Sequence, residues 1–141
     1  MKTIAISAAV LLLIVAAAAL FVRLAPVSTA DVAPLQNLQG PGDYTLDGGH
    51  YAVRPLEAVD LAALETRILA TVRTQPLSGS ARDLPMVFVH RSAVWGFPDV
   101  TQVWVEEGNV HVYSHLVYGQ SDLGVNRARM EDWFESPGSG D

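Results

Sequence analysis

Nineteen consecutive residues, Ile4 to Val22, carry no charge, and Ser7 is their one polar side chain. As a helix rising about 1.5 Å per residue, the run reaches roughly 28 Å, the thickness of a bilayer's hydrocarbon core. The residues that follow suffice for one modest hydrophobic core and not for two. The run also accounts for the bulk figures: 50% hydrophobic residues and a mean hydropathy of +0.24 describe a chain whose apolar excess sits at its start.

A core helix is a poor reading of this segment, because too few residues remain to wrap it on every side. A cleaved signal peptide is the closer rival. Ser28-Thr29-Ala30 offers small residues before a cut, but a signal's apolar region spans about 7–15 residues. The greater length, with Arg23 directly after it, favours an uncleaved anchor, so residues 4–22 are expected to have the lipid bilayer as partner. Lys2 and Arg23 offset one another under the positive-inside rule, and a long C-terminal part translocates largely regardless of its own charge. The expected arrangement is a single pass with the C-terminal domain outside the cytoplasm.

With Lys2 and Arg23 set aside, seven basic residues face all 15 acidic ones, a formal −8 for residues 24–141. Such a balance repels nucleic acid at long range, so no nucleic-acid partner is expected. The chain has no cysteine, which rules out disulfides and thiolate metal sites and leaves the redox compartment open.

Residues 24–42 hold Pro26, Pro34 and Pro41 with Gly40 and Gly42 and read as an extended tether. Tyr44 to Pro55 alternates briefly around Asp47-Gly48-Gly49 and reads as an edge strand or a strap. Leu61, Leu64, Ile68 and Val72 recur at helical spacing, with Asp60 placed to cap and Val59 to staple onto Leu64. Pro76-Leu77-Ser78-Gly79-Ser80 breaks that period and reads as a flexible loop within Gln75 to Asp83. Met86–Val94, Val100–Glu106 and Val110–Val117 are short and rich in β-branched and aromatic residues, which predicts three antiparallel strands.

A tight turn at Glu107-Gly108 sets Glu106 opposite Asn109, Val105 opposite Val110, Trp104 opposite His111 and Gln102 opposite Tyr113. Val103, Val105, Val110 and Val112 then share a buried face, while Gln102, Trp104, His111, Tyr113 and His115 share the other. Leu123, Arg127, Met130 and Phe134, with Trp133, follow helical spacing after an N-cap at Ser121 or Asp122. The tail, Pro137 to Asp141, is expected to be disordered. The predicted fold is α+β: a small antiparallel sheet of three or more strands packed by two amphipathic helices over residues 43–135, preceded by the membrane helix (1–23) and the tether (24–42), with 136–141 as tail.

Phe97-Pro98-Asp99, then Gly119-Gln120-Ser121-Asp122-Leu123-Gly124-Val125-Asn126-Arg127-Ala128-Arg129, closely resembles the signature of domain-of-unknown-function family 1499, found in bacteria and plastids. Arg91-Ser92 also fits, and the likeness runs from about Leu56 to Phe134. The tether from Val22 to Pro26 is similar to that of membrane-anchored proteobacterial members, which supports the uncleaved anchor; with the topology expected above, the chain reads as a bacterial cell envelope protein whose domain faces the periplasm. The resemblance implies a fold family and not an activity. Members commonly carry a Ser-Arg-Ser-Arg run before the glycine, where this chain has Ser114-His115-Leu116-Val117-Tyr118, so an anion site built on those arginines does not carry over.

The remaining chemistry is sparse. His111 and His115 share a strand face but stand roughly 13 Å apart at about 3.3 Å per residue, too far to hold one zinc at about 2.1 Å each. His90 meets either of them only if its strand neighbours theirs. Ser92, Ser114 and Ser121 lie in no nucleophile-elbow pattern, and no glycine-rich phosphate loop occurs. No catalytic residue, cofactor or metal is therefore assigned. The string from Ser121 to Arg129 is most simply a folding device, its rival a small polar or anionic site at the helix start near Arg127 and Arg129. The face with Trp104, His111, Tyr113 and His115 is a candidate contact surface unless another part of the chain covers it. The expectation is a non-catalytic binding or assembly module with an envelope-protein or small-ligand partner; the alternative is an enzyme or carrier for a lipid-like ligand between sheet and helices.

Overall fold

A computed structural model describes residues 2–135; the expected disordered tail lies outside them. The apolar run forms one helix, α1 (Lys2–Leu24), whose span Ile4–Leu24 has a mean hydropathy of 2.9 with 0% buried inside the protein. Length and composition suit it to crossing a membrane, and a signal sequence would pass the same test. The remaining chain folds into six strands, β1 (Gly42–Leu46), β2 (Gly49–Pro55), β3 (Thr74–Ser80), β4 (Asp83–Arg91), β5 (Pro98–Glu106) and β6 (Asn109–Leu116). Two helices pack on them, α2 (Leu61–Ala70) and α3 (Val125–Phe134). All the strand pairs are antiparallel, and the order across the sheet is β1-β2-β6-β5-β4-β3. The α+β expectation holds, with a larger sheet than the three clear strands implied.

Alternation decides the faces. Ala52, Met86, Phe88, Val103, Val110 and Val112 point to one side and form the core with Leu64 and Ile68 of α2 and Met130 and Trp133 of α3. Burying these side chains, each worth roughly 1.5–3 kcal/mol for the larger ones, holds helices to sheet. Asp60 caps α2 by accepting from the amides of Ala62 and Ala63 at 2.9 and 3.0 Å. The β5–β6 register is the expected one at every pair, closed by Glu107 and Gly108 at φ 49° and 76°, the left-handed pair that suits a two-residue hairpin.

Several local expectations are corrected. The supposed loop around Pro76 is strand β3, which lies at the sheet edge and bulges twice between Pro76 and Ser80. A proline's missing N–H is tolerated on an edge, and Gly79, at φ 71°, fits there because a Cβ would collide with the Pro85 carbonyl oxygen. The Tyr44–Pro55 segment, expected as an edge strand or a strap, is a hairpin: β1 lies at the sheet edge, and β2 sits inside the sheet against β6. Finally, α3 starts later than expected: Gly124 at φ 80° is its N-cap, Leu123 stands 93% exposed outside it, and Val72 lies beyond the end of α2. The buried face of α3 is Asn126, Met130 and Trp133 rather than Leu123 and Arg127.

The segment before β1 forms one 3-10 turn at Thr29–Asp31 and then runs across the face of the sheet opposite the helices. The Ala33 amide donates to His115 Nε2 at 3.1 Å, Gln102 donates to the Ala33 carbonyl at 2.9 Å, and the Gln39 amide donates to the Tyr51 hydroxyl at 3.4 Å.

Candidate functional site

One end of the sheet brings much of the glycine-rich motif together. The start of β5, the chain leaving β6 and the approach to α3 surround a cleft of about 420 Å³, lined by Phe97, Asp99, Gly119, Ser121 and Asp122 with Trp95, Tyr118, Leu123, Val125 and Arg129 among others. The rim is apolar and open: Trp95, Tyr118 and Val125 are each about half exposed, and Phe97 is 39% exposed. The floor is polar. Arg129 donates to Asp99 Oδ2 from two nitrogens at 3.4 Å, with 13% and 11% of the two side chains exposed. Burial raises the Asp99 pKa against the opposing pull of Arg129, and burial lowers that of Arg129 against the pull of Asp99.

Trp95 and Phe97 also line a second hollow, about 230 Å³, with Val15, Ala18, Ala19 and Val22 of α1. Val15 lies seven residues before Val22, roughly 10 Å further along the helix. The loop between β4 and β5 thus rests on the apolar helix, and the cleft opens beside it.

Behind the floor runs a buried polar row. Thr74 Oγ1 meets His90 Nδ1 at 2.6 Å, His90 Nε2 meets Thr101 Oγ1 at 2.8 Å, Thr101 meets Ser114 at 2.8 Å, and Ser114 donates to Asn126 Oδ1 at 2.6 Å. Arg129 donates to the same Asn126 oxygen at 2.8 Å. Because that oxygen only accepts, the row has a fixed direction as far as the ring: Ser114 gives its proton to Asn126, Thr101 to Ser114, and His90 Nε2–H to Thr101. Burial with the nearby Arg129 charge lowers the His90 pKa to about 3, so the ring is neutral near neutral pH and its Nδ1 accepts from Thr74. Asp122 holds Asn126 from outside, accepting from the amides of Gly124 and Asn126 at 3.1 and 2.9 Å. Burial raises the Asp122 pKa, but these amides outweigh it and hold the carboxyl below its usual value.

The motif residues therefore divide. Phe97, Asp99, Gly119, Ser121 and Asp122 line the cleft; Pro98 begins β5, its carbonyl accepting from Val117 at 3.1 Å; Gly124 caps α3; Asn126 is wholly buried beneath. Arg127 points away, exposed and paired with Glu131 at 2.7 Å. Arg129 takes the place expected of it. At i+3 from Asn126 it shares that residue's face, which helical spacing alone could have indicated.

The other candidate surface is largely occupied by the chain itself. Trp104, His111, Tyr113 and His115 do share a face, but His115 is only 5% exposed, with Ala33 of the crossing segment on its ring, and His111 only 3% exposed, against Tyr51 and Trp104. Tyr51, which the sequence did not single out, is 1% exposed; its hydroxyl lies 2.6 Å from His111 Nδ1 and its ring stacks with Trp104 at a centroid distance of 6.2 Å. Trp104 and Tyr113 remain partly exposed. His90 stands on the opposite face, two strands from β6, and among the described residues no three His, Cys, Asp or Glu side chains are placed to hold a metal. Between sheet and helices lie the core side chains Ala52, Met86, Phe88, Val103, Val110 and Val112 with Leu64, Ile68, Met130 and Trp133. The cleft lies instead at the sheet's end.

Comparison with known proteins gives one match: a family model described as "Protein of unknown function (DUF1499)" covers residues 26–136. No curated protein and no solved structure matches.

Proposed function

The chain belongs to the DUF1499 family, and from that premise we propose that it is a non-catalytic binding module of the bacterial cell envelope. In this reading residues 4–22 stay in the membrane, the domain faces the periplasm, and the cleft at the sheet's end takes an amphiphilic ligand. The observation that carries the reading is the continuity of Trp95 and Phe97 from the cleft rim onto the apolar helix. A ligand leaving the bilayer along that surface keeps apolar contact throughout, and the Asp99–Arg129 floor offers fixed polar partners for its head. A binding rather than a catalytic role is supported by His90. The histidine nearest the floor has both ring nitrogens engaged by hydroxyls and stays neutral, so it has no free position from which to act as a base.

Native mass spectrometry of the full chain, released from nanodiscs made of its own membrane, tests the reading. The expected result is a retained lipid-like adduct that Val125→Asp, a charge placed on the exposed rim, removes. A parent chain that emerges bare from membranes of every composition tried would reject it.

A further inference from the structure

At the junction of α1 with the domain, three guanidinium groups converge. Arg23, Arg73 and Arg91 line a cleft of about 540 Å³ together with Leu24, Thr74, Gln75, Val89, Ser92 and Gly96, and no acidic side chain lines it. In a chain of formal charge −6 with 9 basic residues, a third of the basic residues gather at one opening. Arg54, Arg127 and Arg129 each pair with a carboxylate, whereas these three have no ion-pair partner among the described residues.

The arginines are held by backbone, not by charge. Arg91 donates to the carbonyls of Val22 at 3.2 Å, Gly96 at 3.1 Å and Ala25 at 2.7 Å, satisfying the end of α1 where a cation suits the helix dipole. Arg23 donates from Nη2 to the carbonyls of Ala93 and Val94, both at 3.1 Å. Arg73, at φ 58°, donates from Nε to the Arg91 carbonyl at 3.0 Å. Fixed in this way, Arg23 Nε and Nη1 and both terminal nitrogens of Arg73 have no hydrogen-bond partner among the described residues and line the cleft as available donors. Both residues are exposed.

Position supplies the chemistry of the ligand. Arg23 follows the apolar run immediately, so with Ile4–Val22 in a bilayer its guanidinium lies at headgroup depth, where phosphoryl groups are concentrated. Preformed forks of N–H donors without competing carboxylates suit a phosphoryl oxyanion better than any other common group at that level. We propose that Arg23, Arg73 and Arg91 form a binding site for a phosphoryl anion, that of an anionic phospholipid headgroup in the leaflet on which the domain rests. The site is separate from the cleft floored by Asp99 and Arg129; it shares with the proposed function only the placement of α1 in lipid.

The test uses the full chain in nanodiscs of phosphatidylcholine with and without phosphatidylglycerol, with lipid adducts read by native mass spectrometry. The parent should retain phosphatidylglycerol over phosphatidylcholine by about tenfold. Arg23→Gln combined with Arg73→Gln should abolish that preference while the thermal unfolding midpoint holds, since both side chains are exposed. Arg73→Lys, which keeps the charge but loses the fork, should fall between. A second arm adds glycerol phosphate to phosphatidylcholine nanodiscs: binding there that the double variant loses upholds the phosphoryl site and assigns it to a soluble ligand. A parent without preference in either arm, or a double variant that binds as the parent does, overturns the proposal. Failure of the Val125→Asp experiment leaves this result untouched, because that substitution lies outside the arginine cleft.

Discussion

Asp99 and Arg129 face each other at 3.4 Å on the floor of the cleft, nearly sealed from water on strand β5 and helix α3. For both groups the pKa moves in the direction burial dictates, against the attraction of the partner. The pair is thus retained at a desolvation cost that mutual attraction only partly offsets. Arg129→Met should destabilise the domain by about 3 kcal/mol, because it strands a buried carboxylate and removes a donor to Asn126. Asp99→Leu combined with Arg129→Met should recover part of that loss. Urea unfolding measures both, and a double variant no more stable than the single one would contradict this account.

His90 sets a pH dependence whose sign follows from its surroundings. The unfolded chain takes up a proton near pH 6.5, the folded one only near 3, so the unfolded state binds more protons between those values. Stability contributed by the neutral ring is complete above pH 6.5 and declines as pH falls toward 3. Burial lowers the pKa of His50 and His115 as well, which adds to the same trend. His90→Gln should flatten the decline without removing it, at a cost of about 1–2 kcal/mol near neutral pH. Chemical denaturation across that range reads the slope directly; an unchanged slope in the variant would mean that His90 is not the group responsible.

What the residues disclose by themselves is whatever depends on neighbours in the chain. The Asp60 cap and the Glu107-Gly108 turn are local devices, and the turn alone fixes which side chains of β5 and β6 share a face. Strand β3 was hidden because Pro76, Gly79 and two serines carry a loop's composition. Only its edge position and its bulges make them compatible with a strand, and both depend on β4. The polar row was hidden for a related reason. Thr101, Ser114 and His90 occupy core positions by parity, but their hydroxyls and ring acquire partners only when β4, β5, β6 and α3 assemble. Nor does periodicity indicate that the segment from Ala33 to Gln39 lies over His115 and Tyr51.

Asn126 and Arg127 are adjacent in the motif and opposite in consequence. Asn126→Ala leaves Ser114 and Arg129 without their shared acceptor in a buried setting and should cost about 2–3 kcal/mol. Arg127→Ala removes one exposed i,i+4 pair with Glu131 and should change stability by less than about 0.5 kcal/mol. Thermal unfolding of the two variants side by side tests the contrast. Equal losses would imply a buried role for Arg127 that its exposure does not allow.

The segment over the sheet is held at Ala33 by hydrogen bonds to His115 and Gln102. His115→Phe keeps the ring's bulk but removes the acceptor for the Ala33 amide. Hydrogen exchange at that amide should accelerate about tenfold, the equivalent of roughly 1.4 kcal/mol of local stability, while exchange in β5 and β6 stays slow. Acceleration spread through the whole sheet would mean that His115 supports the core instead of the crossing segment.

Trp95 shares a hollow with Val15, Ala18, Ala19 and Val22, whereas Trp133 is 2% exposed in the core and Trp104 stacks with Tyr51 and His111 on the far face of the sheet. A bilayer around α1 would bring acyl chains or headgroups to Trp95 and leave the other two indoles beyond reach. In nanodiscs of brominated lipid, part of the tryptophan emission should therefore be quenched, and Trp95→Phe should remove the quenched part alone. The expected fraction is about a third, one indole among the chain's 3, quenching by contact being confined to a few ångströms. If the apolar run were instead clipped off as a signal, the mature chain would not incorporate into nanodiscs, and its emission would be the same in brominated and ordinary lipid.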